Sequence, residues 1–150
     1  MRLKELLLRQ HENVRELTLE VAAAMPEDRY AFKPWEGSLS FADHLRHIAS
    51  VEKTLIQALR GGGWVWDQGI TAETHPNRAA IEALLRESGK ALREQIASMT
   101  DEELTRSIST PWGEATPADL LVEWMVHEAH HRGQLYLHLR LCGITPPEYH

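Results

Sequence analysis

Apolar side chains recur every three to four residues in four long stretches, the period of a helix that buries one face. The first runs from Leu3 to about Met25, lines up Leu3, Leu6, Leu7, Val14, Leu17, Val21 and Ala24, and is stopped by Pro26. The second is opened by the capping pair Ser40 and Asp43 and carries Phe41, Leu45, Ile48, Val51, Leu55 and Leu59 on its apolar side. Asn77 caps the third, which continues through Ile81, Leu84, Leu85, Leu92 and Ile96, with Gly89 a weak point inside it. Thr116, Pro117 and Asp119 supply an N-cap, a first-turn proline and a capping box for the fourth. That helix extends to Cys142, where Gly143 is the expected left-handed stop and Pro146 and Pro147 forbid resumption.

Between these stretches the pattern breaks. The segment "PEDRYAFKPWEGSLS" is too rich in Pro, Gly and Ser for regular structure, and "RGGGWVWDQGITAETHP" is long for a bundle connection. Thr105 to Trp112 has room for a short extended stretch or hairpin and nothing longer. Four helices without a convincing sheet or an internal repeat predict an all-α four-helix bundle, one domain over residues 1–150, with at least one long crossover.

Charge and composition narrow the function. A net charge of −6 with scattered basic residues (Arg2, Lys4, Arg9, Arg15) and no aromatic-interleaved basic patch argues against a nucleic-acid partner. No apolar run is long enough to span a membrane, and the charges mixed through "MRLKELLLRQHEN" disrupt any signal-peptide core. Cys142 is alone, which excludes an intramolecular disulfide and fits a reducing cytoplasm. Nine histidines are many for 150 residues, and five of them follow Met125. That bias points to metal.

The histidines concentrate in "HEAHHRGQ", which contains the HExxH pattern of zinc proteases. On the helical wheel Leu120, Trp124, Leu135 and Cys142 lie within roughly 60° of one another. His127 and His131 fall in the middle of that face, one turn apart, so both imidazoles can reach one ion. His130 faces a flank, and His138 lies about 10 Å beyond His131 along the helix. Two buried imidazoles side by side need either a shared cation or a hydrogen-bonded network to offset their desolvation. The protease reading fails on its other parts: the positions a metzincin needs for Gly and a third His hold Gln134 and Leu137, and Glu148 is the sole carboxylate downstream. A third ligand must come from upstream, where the second helix offers His44 and His47; periodicity alone favours His44.

"SFADHLRHIASVE", followed far downstream by "HEAHHRGQLYLHLRLCGITPP", resembles the DinB/YfiT family of metal-binding four-helix bundles. The matching residues are Ser40, His47, Ile48, Ala49 and Glu52, then His127, His131, Arg132, Gly133, Gln134, Gly143, Pro146 and Pro147. The resemblance spans essentially the whole chain. It implies a metal site of His47, His127 and His131, in preference to His44, with zinc or nickel the reasonable divalent ions for imidazole ligands.

The resemblance further implies a metal-dependent hydrolase or a transferase using a low-molecular-weight thiol, acting on a small molecule. The alternatives are a non-catalytic metal or small-ligand binding module and a stress-related structural protein. No residue is assigned a catalytic role: Glu128 reads first as a solvated or interhelical carboxylate, Glu52 as structural, and Arg132 and Gln134 as bonding helix ends or a partner. Trp35, Trp64, Trp66 and Trp112 lie in or near the connections, placed either to pack over the bundle ends or to wall a pocket. The apolar character of the "RGGGWVWDQGITAETHP" loop predicts a homodimer.

Overall fold

The computed structural model describes residues 2–149. The four anticipated helices are α1 (Leu3–Ala24), α2 (Phe41–Leu59), α3 (Arg78–Ser98) and α5 (Pro117–Leu141), with a short α4 (Asp101–Thr105) between the last two. A two-stranded antiparallel hairpin, β1 (Ile108–Thr110) and β2 (Gly113–Ala115), pairs Ile108 with Ala115 and Thr110 with Gly113. The hairpin overlaps the expected extended stretch, Thr105 to Trp112, in β1 and the turn only; Thr105 belongs to α4 and β2 lies beyond Trp112. Helix α4 was not expected; Thr100 starts it by accepting from the Glu103 amide through its Oγ1, while the Glu103 carboxylate takes the Thr100 amide.

The caps act as the sequence implies. Ser40 Oγ accepts from the Asp43 amide at 3.0 Å, Asn77 Oδ1 from Ala80 at 2.9 Å, and Thr116 Oγ1 from Asp119 at 3.0 Å. Each satisfies one of the orphan amides that a helix start leaves. At the far end of α5, Gly143 takes φ +76°, and Ile144 and Gly143 donate to Leu139 and Arg140 carbonyls in a Schellman-type stop.

Helices α1 and α2 each pack against both α3 and α5, so the order around the bundle is α1, α3, α2, α5. The chain therefore crosses the bundle diagonal twice, through the segment that links α1 to α2 and through the α4–hairpin segment. The core is built from Leu7, Val21 and Met25 of α1, Phe41, Leu45 and Ile48 of α2, Ile81, Leu85, Leu92 and Ile96 of α3, and Leu121, Leu135 and Leu139 of α5. Among the described residues, no helix is long and apolar enough to cross a membrane.

The middle of this core is charged. On α1 the inward stripe reads Leu7, His11, Arg15, Thr18, Ala22, so three polar residues stand at core positions. Arg15, one of the basic residues read as scattered, is 2% exposed. Its Nε donates to Glu128 Oε1 at 2.9 Å, and its Nη2 to Glu52 Oε2 at 2.8 Å and to Glu128 Oε2 at 3.1 Å. Its Nη1 donates to the Leu85 carbonyl of α3. His11 Nε2 and Trp124 Nε1 also donate to Glu52 Oε2, at 2.9 and 3.2 Å. One guanidinium on α1 thus binds α2, α3 and α5 together. Burial opposes the charge on both sides of this pair, but the opposite charges win: Arg15 is held above its usual range, and Glu52 below the usual carboxylate range by Arg15 and His11.

Gly89 is explained by the same group. A Cβ there would stand 2.6 Å from Arg15 Nη1. Elsewhere in a helix, alanine in place of glycine is worth about 1 kcal/mol through propensity. Here the guanidinium is fixed by two carboxylates and cannot step aside without uncovering a buried charge. Gly89→Ala is therefore expected to destabilise the fold by about 1–3 kcal/mol in urea unfolding, the range of other overpacked cores. A gain of stability would show that Arg15 moves freely.

Candidate metal centre

The site forms where α5 faces α2. Glu128 sits at the bundle centre on Arg15, so its helical neighbours His127 and His131 turn toward α2; Glu52 likewise takes the inner side of α2 and leaves His47 toward α5. His47 Nε2 lies 3.1 Å from His127 Nε2, which lies 3.1 Å from His131 Nε2. One ring nitrogen from each of the three falls within 4.8 Å of the others. Among the described residues these three form the one group of this kind.

The donor set suits a divalent ion. Two imidazole nitrogens on a tetrahedral ion at 2.0–2.1 Å stand about 3.3 Å apart, close to the spacing here. The rings are partly buried and packed edge to face, with centroids 4.5 Å apart for His127–His131 and 4.7 Å for His47–His131. Burial, reinforced by neighbouring histidines, pulls His127 down to about 4 and His131 to about 3, and burial alone lowers His47. All three are therefore neutral near pH 7, the form that ligates.

His44, the wheel's choice, is 3% exposed and stands one layer out. Its Nδ1 is 2.9 Å from His131 Nδ1, the ring nitrogen remote from the cluster. It orients His131, as hydrogen-bonded partners of ligating imidazoles do. His138 is buried and packs its ring edge against His44 at 5.2 Å. His130 is exposed and shares a contact of 2.8 Å with Gln134.

Glu128 does not serve the cluster. Both its oxygens are taken by Arg15, and its side chain is fully buried. The HExxH match thus lacks the protease's base. Arg132 is also buried, donating to the Val14 carbonyl of α1 at 2.9 Å, and Glu52 is structural as expected. Trp124 connects the centre to the site: its ring tilts over His127 at 5.0 Å while its Nε1 holds Glu52.

Two clefts adjoin the cluster. One, of about 350 Å³, has His47 and His127 in one wall, with Trp64, Trp66 and Trp112 opposite. The other, of about 430 Å³, is lined by Trp35, Leu39, His44, His131, Gln134 and His138. The four connection tryptophans therefore wall pockets.

Comparison with known proteins agrees with this architecture. The DinB family profile matches residues 1–150, and the chain belongs to the DinB family. The uncharacterized protein YjoA of Bacillus subtilis (strain 168) is 30% identical over 138 residues, covering 90% of this chain and 86% of its own. The crystal structure of that DinB-like protein superposes with a TM-score of 0.79 at 25% identity, covering 95% of this chain and 96% of the other. A DinB-like protein from Bacillus cereus ATCC 10987 shares the fold, with a TM-score of 0.78 at 20% identity over 96% and 95% of the chains.

The depressed histidines make the metal-free chain acid-sensitive. Their folded values lie below the ordinary value near 6.5, so the unfolded chain takes up protons first and stability falls with pH. The contribution is complete above about pH 7 and is lost from about pH 6.5 down through the folded values of about 4 for His44 and His127. Glu52 adds a second loss only below the ordinary carboxylate range, because its folded value is lowered. In chelator, the melting temperature should decline steadily between pH 6.5 and 4, and less steeply in His131→Gln. A flat profile over that interval would contradict the buried, neutral cluster.

Proposed function

We propose that this protein binds a divalent metal ion, zinc or nickel, through His47, His127 and His131, and uses it as a hydrolase or thiol-dependent transferase on a small molecule. The convergence of three imidazole Nε2 atoms from two helices carries this reading. Three protein ligands are one short of a tetrahedral set, the arrangement of catalytic rather than closed structural centres. A bound ion would supply Lewis acidity toward a water or a thiol. The chain's own residues hold the three rings neutral, orient His131 through His44 and open the cluster to two clefts. Non-catalytic binding is the second reading; Glu128, spent on Arg15, favours it by leaving no base at the HExxH position.

His47→Ala is expected to abolish one-to-one zinc or nickel binding in titration calorimetry, while His44→Ala keeps the stoichiometry and weakens affinity by about 10- to 100-fold, as loss of an outer partner does. Equal loss of stoichiometry in both variants, or loss in His44→Ala alone, would mean the ligand set is wrong. Turnover of a thiol substrate by the loaded protein separates the catalytic reading from the binding one.

We further infer a homodimer. Val122, Val126, Leu137 and Leu141 are all at least half exposed on the outer side of α5, with exposed Gly133 between them. With His130 included, positions 122, 126, 130, 133, 137 and 141 form one stripe along α5, a single patch that two copies can present to each other about a two-fold axis. Light scattering at micromolar concentration should give about twice the 17.1 kDa chain mass, and Val126→Lys should restore the monomer. A wild-type monomer would end this inference.

A further inference from the structure

The cleft beside His47 and His127 has a composition that the metal centre alone does not call for. Its far wall is three indoles in mutual contact: Trp64–Trp66 at 5.9 Å, Trp64–Trp112 at 5.2 Å and Trp66–Trp112 at 5.8 Å between centroids. They come from two separate connections, the α2–α3 loop and the β1–β2 turn. Val51, Leu55 and Leu120 line the remainder, and Trp124 and the two histidines close the inner side. Apart from the histidines and the indole N–H groups, Glu123 is the sole polar side chain in the lining.

Three indoles that served only to pack the loop against the hairpin would bury one another. Instead Trp66 is 50% exposed and Trp112 67%. The loop that carries two of them is nevertheless held in place. Thr54 Oγ1 of α2 donates to the Val65 carbonyl at 2.8 Å, and Gln68 Nε2 donates to Gln57 Oε1 at 3.0 Å and to Val65 O at 2.7 Å. The part of the wall made by Trp64 and Trp66 is thus formed before any ligand arrives, which lowers the ordering cost of binding. Apolar surface kept in water beside a cluster of metal-binding nitrogens is the usual make-up of a small-molecule site.

We propose that this cleft binds the aryl group of a small, uncharged-bodied ligand whose head group reaches the histidine cluster. The proposal rests on the metal-centre reading for the head group only. An apolar cavity of roughly 150 Å³ already admits benzene. The volume here, about 350 Å³, fits one or two fused rings and a short arm, and is too small for a peptide helix. Indole faces and edges offer stacked and edge-on contacts to a flat ring. The Glu123 carboxylate in an otherwise apolar wall disfavours an anionic body, because a second negative charge there would lose water without gaining a partner. The ligand class is therefore a neutral aryl compound with a metal-binding end.

Calorimetry on the full chain tests this with and without zinc. In the metal-free protein, neutral 2-naphthamide should bind one per chain, weaken at least tenfold in Trp112→Ala, and fail to bind in Val51→Trp, which fills the cleft. Trp112 is exposed at a turn, so its removal leaves the core intact, and melting curves check both variants. A 2-naphthamide carrying a sulfonate on its far ring, and so an anionic body, should bind at least tenfold more weakly than the parent amide, with the gap narrowing in Glu123→Gln; an equal affinity overturns the neutral-body part of the proposal. In the zinc-loaded protein, 2-naphthohydroxamate should bind at least 100-fold more tightly than acetohydroxamate, and the advantage should shrink in Trp112→Ala. No saturable amide binding, or binding indifferent to both cleft variants, overturns the proposal whatever zinc does. Equal affinity for the two hydroxamates in a protein that does bind zinc also overturns it, and leaves the metal reading standing. Amide binding with the expected variant pattern in a chain that takes up neither zinc nor nickel upholds the aryl cleft and removes the metal reading instead.

Discussion

A single buried guanidinium sets the geometry of this bundle. Arg15 projects from α1 into the centre and meets a carboxylate from α2, a carboxylate from α5 and a carbonyl from α3. Charges so far from water are tolerated only when fully paired, and removing one partner of such a set is costly, about 3–5 kcal/mol. Hydrophobic faces on helices are broad stripes, about 100° or more wide, and specify helix rotation less sharply than a directional hydrogen bond does. The ion network fixes the rotation of α5 through Glu128 and of α2 through Glu52, and it excludes a side chain at position 89 of α3.

The histidine cluster follows from that rotation. Successive residues on a helix are about 100° apart, so a glutamate fixed at the centre places its preceding histidine on the flank. On α5 the flank faces α2; on α2 the corresponding flank carries His47. Trp124 strengthens the link, since it holds Glu52 with its nitrogen and covers His127 with its ring. A core designed for stability alone would use apolar residues at these places. The charged centre here keeps the rings of three histidines in register and close enough to share an ion, while their burial and mutual proximity keep them neutral.

Around this rigid centre the connections wall the clefts. The two diagonal crossings and the long α2–α3 loop bring tryptophans to both sides of the cluster: Trp64, Trp66 and Trp112 on one, Trp35 on the other. Helices hold the histidine cluster, where side chains are locked by packing; loops form the outer walls, because their aromatic groups are free of core duties. The α2–α3 loop is an exception in stiffness, tied to α2 by Thr54, Gln57 and Gln68.

Local pattern was enough for the four long helices, their caps and the glycine stop of α5, since each rests on interactions within a few residues. Ser40 with Asp43, Thr116 with Asp119, and Gly143 with Arg140 are contacts that sequence spacing alone dictates. It also placed His127 and His131 on one face, because i and i+4 stack on any helix. What it left open was decided across the bundle. Periodicity preferred His44 to His47, and motif likeness was needed to reverse that choice; in three dimensions His44 orients His131 while His47 meets the cluster. Arg15 looked like one more surface cation and Glu128 like a solvated or interhelical acid, because their partnership joins residues 113 apart in sequence. The meeting of Trp112 with Trp64 and Trp66 was hidden for the same reason, whereas the short α4 carries a local capping box, Thr100 with Glu103, but too few residues to show a period. Periodicity reports which side of a helix is apolar; which polar groups pair inside, and which aromatic side chains converge from distant connections, is fixed only when the helices have packed.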